Sequence, residues 1–382
     1  MAASVPRADD DRDSGLDRFR GCTIAHPRLV EAKDELMNAI VGAESNSLVF
    51  VFGPTGVGKT TLLQKAEQVI TAGLLTELQE DRERIPVVSV EAVAPESGNF
   101  NWRDHYKCLL RQLDEPLVDY KVGRRPEGES VHAGRRFMPP PRAIAADYRY
   151  AVEQAVRHRR PVAVMIDEAQ HLGKIGSGRR LLDQLDVIKS IANRTRTVHV
   201  LFGTYDLLAL RNLNGQLSRR SIDVHLPRYR ADVPGERQIF INIVETFERE
   251  LPFPEPSNLV HYWEFLYARS LGCVGIMKQW LVRAATAAVQ KGYRNLAKGD
   301  LESQALCMSQ CEQLYTEIAE GELKLEERRD AVMRYRSRLG LSDHASVKAT
   351  SSPASRFRFR RPGQRLPVRD TVGPVGANAA AI

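Results

Sequence analysis

The chain has 382 residues, of which 43% are hydrophobic and 27% charged, the proportions of an ordinary globular protein with room for two or three domains. No apolar run reaches the ~18–20 residues that a membrane span needs, and residues 1–20 lack the apolar stretch of a secretory signal, so a cytoplasmic protein with no membrane partner is expected. The net charge of +7 is uneven: from Leu341 onward seven Lys and Arg stand against two Asp, which directs the tail toward a polyanion or an acidic partner.

Residues 1–20 read as a disordered lead. Helical spacing begins at 27–41, where Leu29, Val30, Ala32, Leu36, Met37 and Ile40 form one apolar face. The run 47–52 (SLVFVF) is short and rich in strand formers, a buried strand. A loop at 53–58 and a helix at 59–72 follow, then a second strand at 86–91 and a helix at 102–113. Residues 114–142 break the pattern as a basic, Gly- and Pro-containing insertion with Lys121, Arg124, Arg125, Arg135, Arg136 and Arg142. A helix at 143–157, a strand at 161–166, a helix at 181–194 and strands at 198–202 and 222–226 complete this half.

Strands that are apolar on both faces and alternate with helices predict an α/β fold with a parallel sheet covered on each side. From Gly235 only helices are predicted, at 236–250, 258–270, 275–291, 300–321 and a charged one at 322–339. From Ser342 the composition turns to Ser, Pro, Ala, Gly and Arg, a disordered tail. The expected division is a lead at 1–20, an α/β domain at 21–232, a small all-helical domain with C-terminal helices at 233–340, and a basic tail at 341–382. Cys22, Cys108, Cys273, Cys307 and Cys311 are odd in number and irregular in spacing, which fits reduced core thiols better than a zinc site.

Gly53-Pro54-Thr55-Gly56-Val57-Gly58-Lys59-Thr60 fills the phosphate-loop pattern between a predicted strand and a predicted helix. Its glycines let backbone N–H groups turn inward around phosphate oxygens, and the helix N-terminus adds its dipole. Lys59 is placed to reach the β- and γ-phosphates and the Thr60 hydroxyl to ligate Mg2+; Thr61 extends the nucleotide-binding set. The third strand ends in Asp167-Glu168, a Walker B arrangement in which Asp167 binds Mg2+ and Glu168 orients the attacking water. The fourth strand ends in Gly203-Thr204. Thr204 is either a polar contact to the γ-phosphate or an ordinary turn threonine. Arg219 and Arg220, just before the fifth strand, stand where the AAA+ ATPases that these motifs resemble place an arginine finger for a neighbouring subunit's ATP; a solvated or DNA-facing pair is the alternative. Lys278, near a helix start in the second half, is where the resemblance to AAA+ lids implies a basic sensor; a surface lysine is the alternative.

Together these motifs resemble an AAA+ ATPase of the origin-initiator type and, within that group, the TnsC/TniB regulators of DNA transposition. The resemblance spans about residues 20–296 and rests most on 164–172 (VMIDEAQHL), 201–206 (LFGTYD), 216–220 (QLSRR), 226–229 (LPRY) and 272–281 (GCVGIMKQWL). It implies a bacterial, DNA-associated ATPase that uses ATP and Mg2+ and assembles as a homo-oligomeric ring or helical filament on double-stranded DNA. It further implies recruitment of a TnsB/TniA-like transposase, a link to a TniQ-like target-selection protein, and disassembly on hydrolysis. His26-Pro27 would begin the adenine pocket, and residues 93–102 would face DNA. An initiator or loader ATPase, or a nucleotide-gated scaffold with little turnover, are the competing readings.

The insertion and the tail lie outside the shared pattern. Lys121, Arg124, Arg125, Arg135 and Arg136 are DNA-binding candidates, against a solvated loop. Arg356-Phe357-Arg358-Phe359-Arg360-Arg361 suits phosphates and stacking, or a peptide that folds onto a protein partner.

Overall fold

A computed structural model of the protein describes residues 8–43, 47–95, 100–120, 141–173, 178–211, 221–325 and 329–341. The chain divides into two compact units, 1–326 and 327–382. The first opens with α1 (Ala8–Gly21), α2 (Pro27–Gly42), β1 (Leu48–Phe52), α3 (Lys59–Gly73), α4 (Leu75–Glu80), β2 (Val87–Glu91), α5 (Trp102–Gln112), α6 (Pro141–Arg159), β3 (Ala163–Asp167), α7 (Gly178–Thr195), β4 (Val198–Gly203), α8 (Leu207–Arg211) and β5 (Ser221–His225). It continues with helices only: α9 (Pro234–Glu250), α10 (Trp263–Ser270), α11 (Val274–Gln290), α12 (Lys298–Gln304) and α13 (Met308–Leu325). The second unit contributes α14 (Arg329–Arg338), whose Val332, Met333 and Tyr335 are exposed.

The five strands form one parallel sheet in the order β2-β3-β4-β1-β5. Every residue of β1 is buried, and its side chains alternate between two cores. Leu48, Phe50 and Phe52 enter the core beneath α5, α6, α7 and α8, while Val49 and Val51 enter the one beneath α2 and α3. Strand β3 divides the same way, with Val164 and Ile166 to the first core and Ala163 and Met165 to the second. This is the period-two alternation of a pleated strand, and each such fully buried side chain contributes roughly 1.5–3 kcal/mol. Polar groups are therefore excluded from the faces of β1 and delivered at its end.

The helical half has its own core, with Phe240, Phe247, Trp280 and Leu281 at its centre. The lead differs from expectation. Residues 8–21 form a helix, and Leu16 and Phe19 are buried in that same core, Phe19 edge-on to Phe247 at 6.2 Å. The two residues lie three apart and so share a helix face; their partners are more than two hundred positions away, beyond any local pattern. The expected single helix at 300–321 is two helices, because Ala305 turns extended (φ −70°, ψ 151°) and the Gln310 side chain accepts from the Cys307 N–H at 3.0 Å. The first turn of 258–270 is a separate 3-10 turn at Leu259–Tyr262. The tail beyond Leu341 lies outside the described residues. No described helix is long and apolar enough to cross a membrane.

Four histidines are held neutral by burial: His26, His105, His199 and His225 are each pushed down to about 4. An unfolded histidine titrates near 6.5, so protons bind the unfolded chain preferentially between those values. Stability is therefore fully present above about pH 6.5 and lost as pH falls toward 4. We expect the melting temperature to drop steadily from pH 7 to pH 5, each histidine costing on the order of 1 kcal/mol; a calorimetric midpoint that stays flat over that range would exclude this.

Candidate active site

The sheet's C-terminal edge gathers the chemistry. In the β1–α3 loop Gly53 lies so close to the chain after β5 that an added Cβ would stand 2.2 Å from the Leu226 carbonyl oxygen. Gly58, the N-cap of α3, has φ 116°, open to glycine and costly for other residues. A tight glycine turn at a helix start is the setting in which backbone N–H groups cradle anions. Lys59 is buried, and its ammonium donates to the Gly53 and Pro54 carbonyls at 3.1 and 2.8 Å. Burial holds its pKa down, while the Glu168 and Asp167 carboxylates pull it the other way. Val57 is buried, Thr61 half-buried, and Thr55 and Thr60 exposed.

Strand β3 pairs with β2 and β4 and delivers Asp167 and Glu168 beside that loop. The Thr60 hydroxyl donates to Asp167 Oδ2 at 2.8 Å, and the Glu168 N–H donates to Asp167 Oδ1 at 2.9 Å. Glu168 has φ 51°, an uncommon conformation for a side-chain-bearing residue and one that clusters at functional sites. At the end of β4, Thr204 is half-buried; its hydroxyl accepts from the Asp206 N–H at 3.4 Å and its own N–H donates to Gln170 Oε1 at 3.2 Å. The amide of Gln170 in turn donates to Glu168 Oε2. Lys59, Thr60, Asp167, Glu168 and Thr204 thus come together.

The helical half sits directly on the loop. The Ile276 N–H at the start of α11 donates to the Gly56 carbonyl at 3.1 Å, and a Cβ on Gly275 would stand 2.4 Å from that same oxygen. Gly272 (φ 76°) receives the Tyr229 N–H at 3.1 Å, so the LPRY and GCVGIMKQWL stretches touch. Lys278 lies elsewhere. Its ammonium donates to the Arg20 carbonyl at 2.9 Å and to that of Cys22, closing the C-terminal end of α1, and Ile276 takes the position against Gly56. The reason is helical phase: two residues turn a side chain about 200° around α11. His26 caps α2 just ahead of Pro27, accepting from the Leu29 N–H, and its Nδ1 is 2.9 Å from the Tyr229 hydroxyl.

Arg228 joins the two halves. Its guanidinium donates to both Glu322 oxygens at 2.9 and 3.2 Å and to the Tyr267 hydroxyl at 3.3 Å, and stacks over Tyr315 at 5.8 Å. Helix α13 lies by the loop, where Gly321 is so close to Tyr205 that an added Cβ would stand 2.1 Å from its ring. A cavity of about 210 Å3 between Pro54, Thr55 and Asp206 on one side and Glu317, Glu320 and Lys324 on the other remains. A larger, open cavity of about 790 Å3 near Asn242, Glu245 and Phe253 touches none of the residues above.

Arg219 and Arg220, the candidates Lys121, Arg124, Arg125, Arg135 and Arg136, and the Arg/Phe run of the tail all lie outside the described residues. Of the stretch expected to face DNA, Val93 is exposed, but Phe100 is buried and packs with Trp102 at 5.1 Å and His105 at 5.4 Å. All five cysteines are free; Cys273 and Cys311 are buried and Cys307 exposed.

Residues 43–211 match the AAA domain. The match spans less than half of the chain and ends before β5. Among solved structures, the Aeropyrum pernix ORC1 protein in complex with DNA is 15% identical, with a TM-score of 0.51 over 76% of this chain and 68% of that one. The ADP form of the Aeropyrum pernix ORC2 protein is 17% identical (TM-score 0.48, 75% and 71% covered) and Cdc6p of Pyrobaculum aerophilum 16% identical (TM-score 0.48, 75% and 69% covered). No curated protein matches the chain. Together with the parallel sheet, the phosphate loop and the helical region after it, the AAA domain and the likeness to ORC1 make this a P-loop AAA+ fold.

Arg228 and Glu322 stand 94 positions apart and carry no local sequence signal; Gln170 lies within VMIDEAQHL, where the local pattern assigns it no role. Replacing Arg228 with Ala leaves Glu322 unpaired in a half-buried place, at a cost of about 2 kcal/mol. We expect the melting temperature of Arg228→Ala to fall by several degrees, and Glu322→Ala added to it to restore part of the loss; no change in the single variant would show the pair to be idle.

Proposed function

We propose that the protein is a DNA-associated AAA+ ATPase that works as an ATP-dependent regulator of DNA transposition. The observation that carries the nucleotide half of this reading is the 2.8 Å bond between Thr60 and Asp167 beneath a glycine cradle. A hydroxyl and a carboxylate so placed, next to a buried lysine, are the donor set of a Mg2+–triphosphate site. At sites of this kind, oxygens of the bound phosphates and water complete the metal's coordination.

Lys59, now satisfied by two loop carbonyls, supplies the mobile cation for the β- and γ-phosphates. Thr60 and Asp167 would hold Mg2+, which would supply the charge that offsets the phosphates. Glu168 orients the attacking water and draws its proton, and Thr204 marks the γ-phosphate side. His26-Pro27 walls the base. Arg219 or Arg220 reaches the neighbouring subunit's phosphate; residues 21–232 make up the nucleotide-binding domain, and 233–340 the helical lid and C-terminal helices. Lys121, Arg124, Arg125, Arg135 and Arg136 and the tail supply contacts to the DNA backbone, weakly selective for sequence.

The transposition half is supported by VMIDEAQHL, LFGTYD, QLSRR, LPRY and GCVGIMKQWL, stretches that resemble TnsC/TniB. On this reading the ATP-bound protein forms a ring or filament on double-stranded DNA, recruits a TnsB/TniA-like transposase, meets a TniQ-like partner, and leaves on hydrolysis, within the bacterial cytoplasm. A second reading, an initiator or loader, is supported by the fold shared with the Aeropyrum pernix ORC1 protein, whose structure is in complex with DNA. Glu168 stands against a scaffold that only binds nucleotide.

Mixing the protein with double-stranded DNA and a slowly hydrolysed ATP analogue, then imaging it, tests the assembly. Ordered rings or filaments are expected that need both ligands and vanish in Lys59→Ala, whose turnover should fall about a hundredfold or more. A monomer on DNA would exclude the trans finger and the assembly. Stimulation of strand transfer by a cognate transposase separates the transposition reading from the initiator one.

A further inference from the structure

We propose that Gln170 is a positioning residue that ties the Glu168 carboxylate to the end of β4, so that the water-orienting group and the γ-phosphate-facing strand end move as one. The inference rests on the ATPase reading above and names a residue that reading leaves without a role.

Three observations converge on this side chain. Its Nε2 donates to Glu168 Oε2, and its Oε1 accepts the Thr204 N–H at 3.2 Å. The orientation of the amide is forced by its neighbours: an ionised carboxylate only accepts and a backbone N–H only donates, so a flipped amide would lose both bonds. The third is the space kept for it. A Cβ on Gly203 would stand 2.4 Å from Gln170 Oε1 and 2.8 Å from Leu207 Cδ1, so the residue that precedes Thr204 lacks a side chain where the amide must pass.

The bridge closes a gap that the backbone leaves open. Glu168 has left the strand, with φ 51°, and the β3–β4 pairing extends no further than Ile166 with Leu201. Beyond that pair, the Gln170 amide spans from the Glu168 carboxylate to the chain at Thr204. A carboxylate that must orient water needs a fixed rotamer, and a hydrogen bond from a held amide supplies one. The length is specific: Asn is one methylene short of reaching both partners, Leu keeps the volume without the bonds, and Glu keeps the acceptor toward Thr204 while setting a second carboxylate beside Glu168.

The test measures single-turnover and steady-state ATP hydrolysis, nucleotide affinity with a fluorescent ADP, and amide exchange at Thr204, for wild type, Gln170→Leu, Gln170→Glu and Glu168→Gln. Gln170→Leu is expected to lower kcat by about tenfold to a hundredfold, within the range for a misplaced acid–base group, with nucleotide affinity unchanged and Thr204 exchange faster. Gln170→Glu is expected to lower kcat at least as far as Gln170→Leu, because it sets an acceptor against the Glu168 carboxylate where the amide donated. Unchanged kcat in Gln170→Leu would overturn the proposal, and so would a matching loss of affinity, which would mark a merely structural residue. A wild type no faster than Glu168→Gln would instead defeat the ATPase reading, while the Thr204 exchange would still report the bridge.

Discussion

A strand buried on both faces can present polar groups only at its ends, and β1 is buried along its whole length. Its side chains are taken by two cores on opposite sides of the sheet, so the loop at its C-terminal end is the first place where backbone N–H groups and a charged side chain can emerge. The parallel arrangement repeats the constraint in β3 and β4, whose ends release Asp167 and Thr204 on the same edge. The site follows from directionality: parallel neighbours must discharge their polar residues at one edge.

The helical half is assembled by a different logic. Its core accepts Leu16 and Phe19 from the far N-terminus, and Lys278 fastens the end of that helix through two carbonyls. Arg228 then binds α13 to the exit of β5. The first described helix of the unit is therefore secured to the lid by apolar packing, and the last to the exit of β5 by a charged fork. A bidentate guanidinium supplies direction as well as attraction, which suits a helix that must lie by a loop at a set angle.

What was legible in the sequence was what is local. The phosphate loop is a run of eight residues, and the strands announce themselves by apolar runs whose faces both need cover. Asp167-Glu168 was visible because it ends such a run. What was not legible depends on partners far along the chain. The helix at 8–21 is polar by composition and is recruited by two residues whose cover lies in the lid. Lys278 sits near the helix start as a sensor would, yet helical phase turns it to α1 and leaves Ile276 on the loop. The interruption at 305–307 is made by the Gln310 side chain capping a new helix, a cue too weak to break an otherwise continuous helical pattern. Gln170 lay inside a stretch singled out for its resemblance, and only the vacancy at Gly203 shows why an amide of that length stands there.

The contact between Gly56 and Gly275 has a consequence for how the two halves can change. Ile276 N–H meets the Gly56 carbonyl, and neither glycine has room for one more carbon: a Cβ on Gly56 would stand 2.5 Å from Ile276 Cγ1, and one on Gly275 would stand 2.4 Å from the Gly56 oxygen. At Gly275 the obstacle is the Gly56 backbone, which no substitution can reduce, whereas at Gly56 it is the Ile276 side chain together with a φ of 70° that favours glycine. The mutational tolerance of the joint is therefore set by backbone on the lid side and by one side chain and a left-handed turn on the loop side.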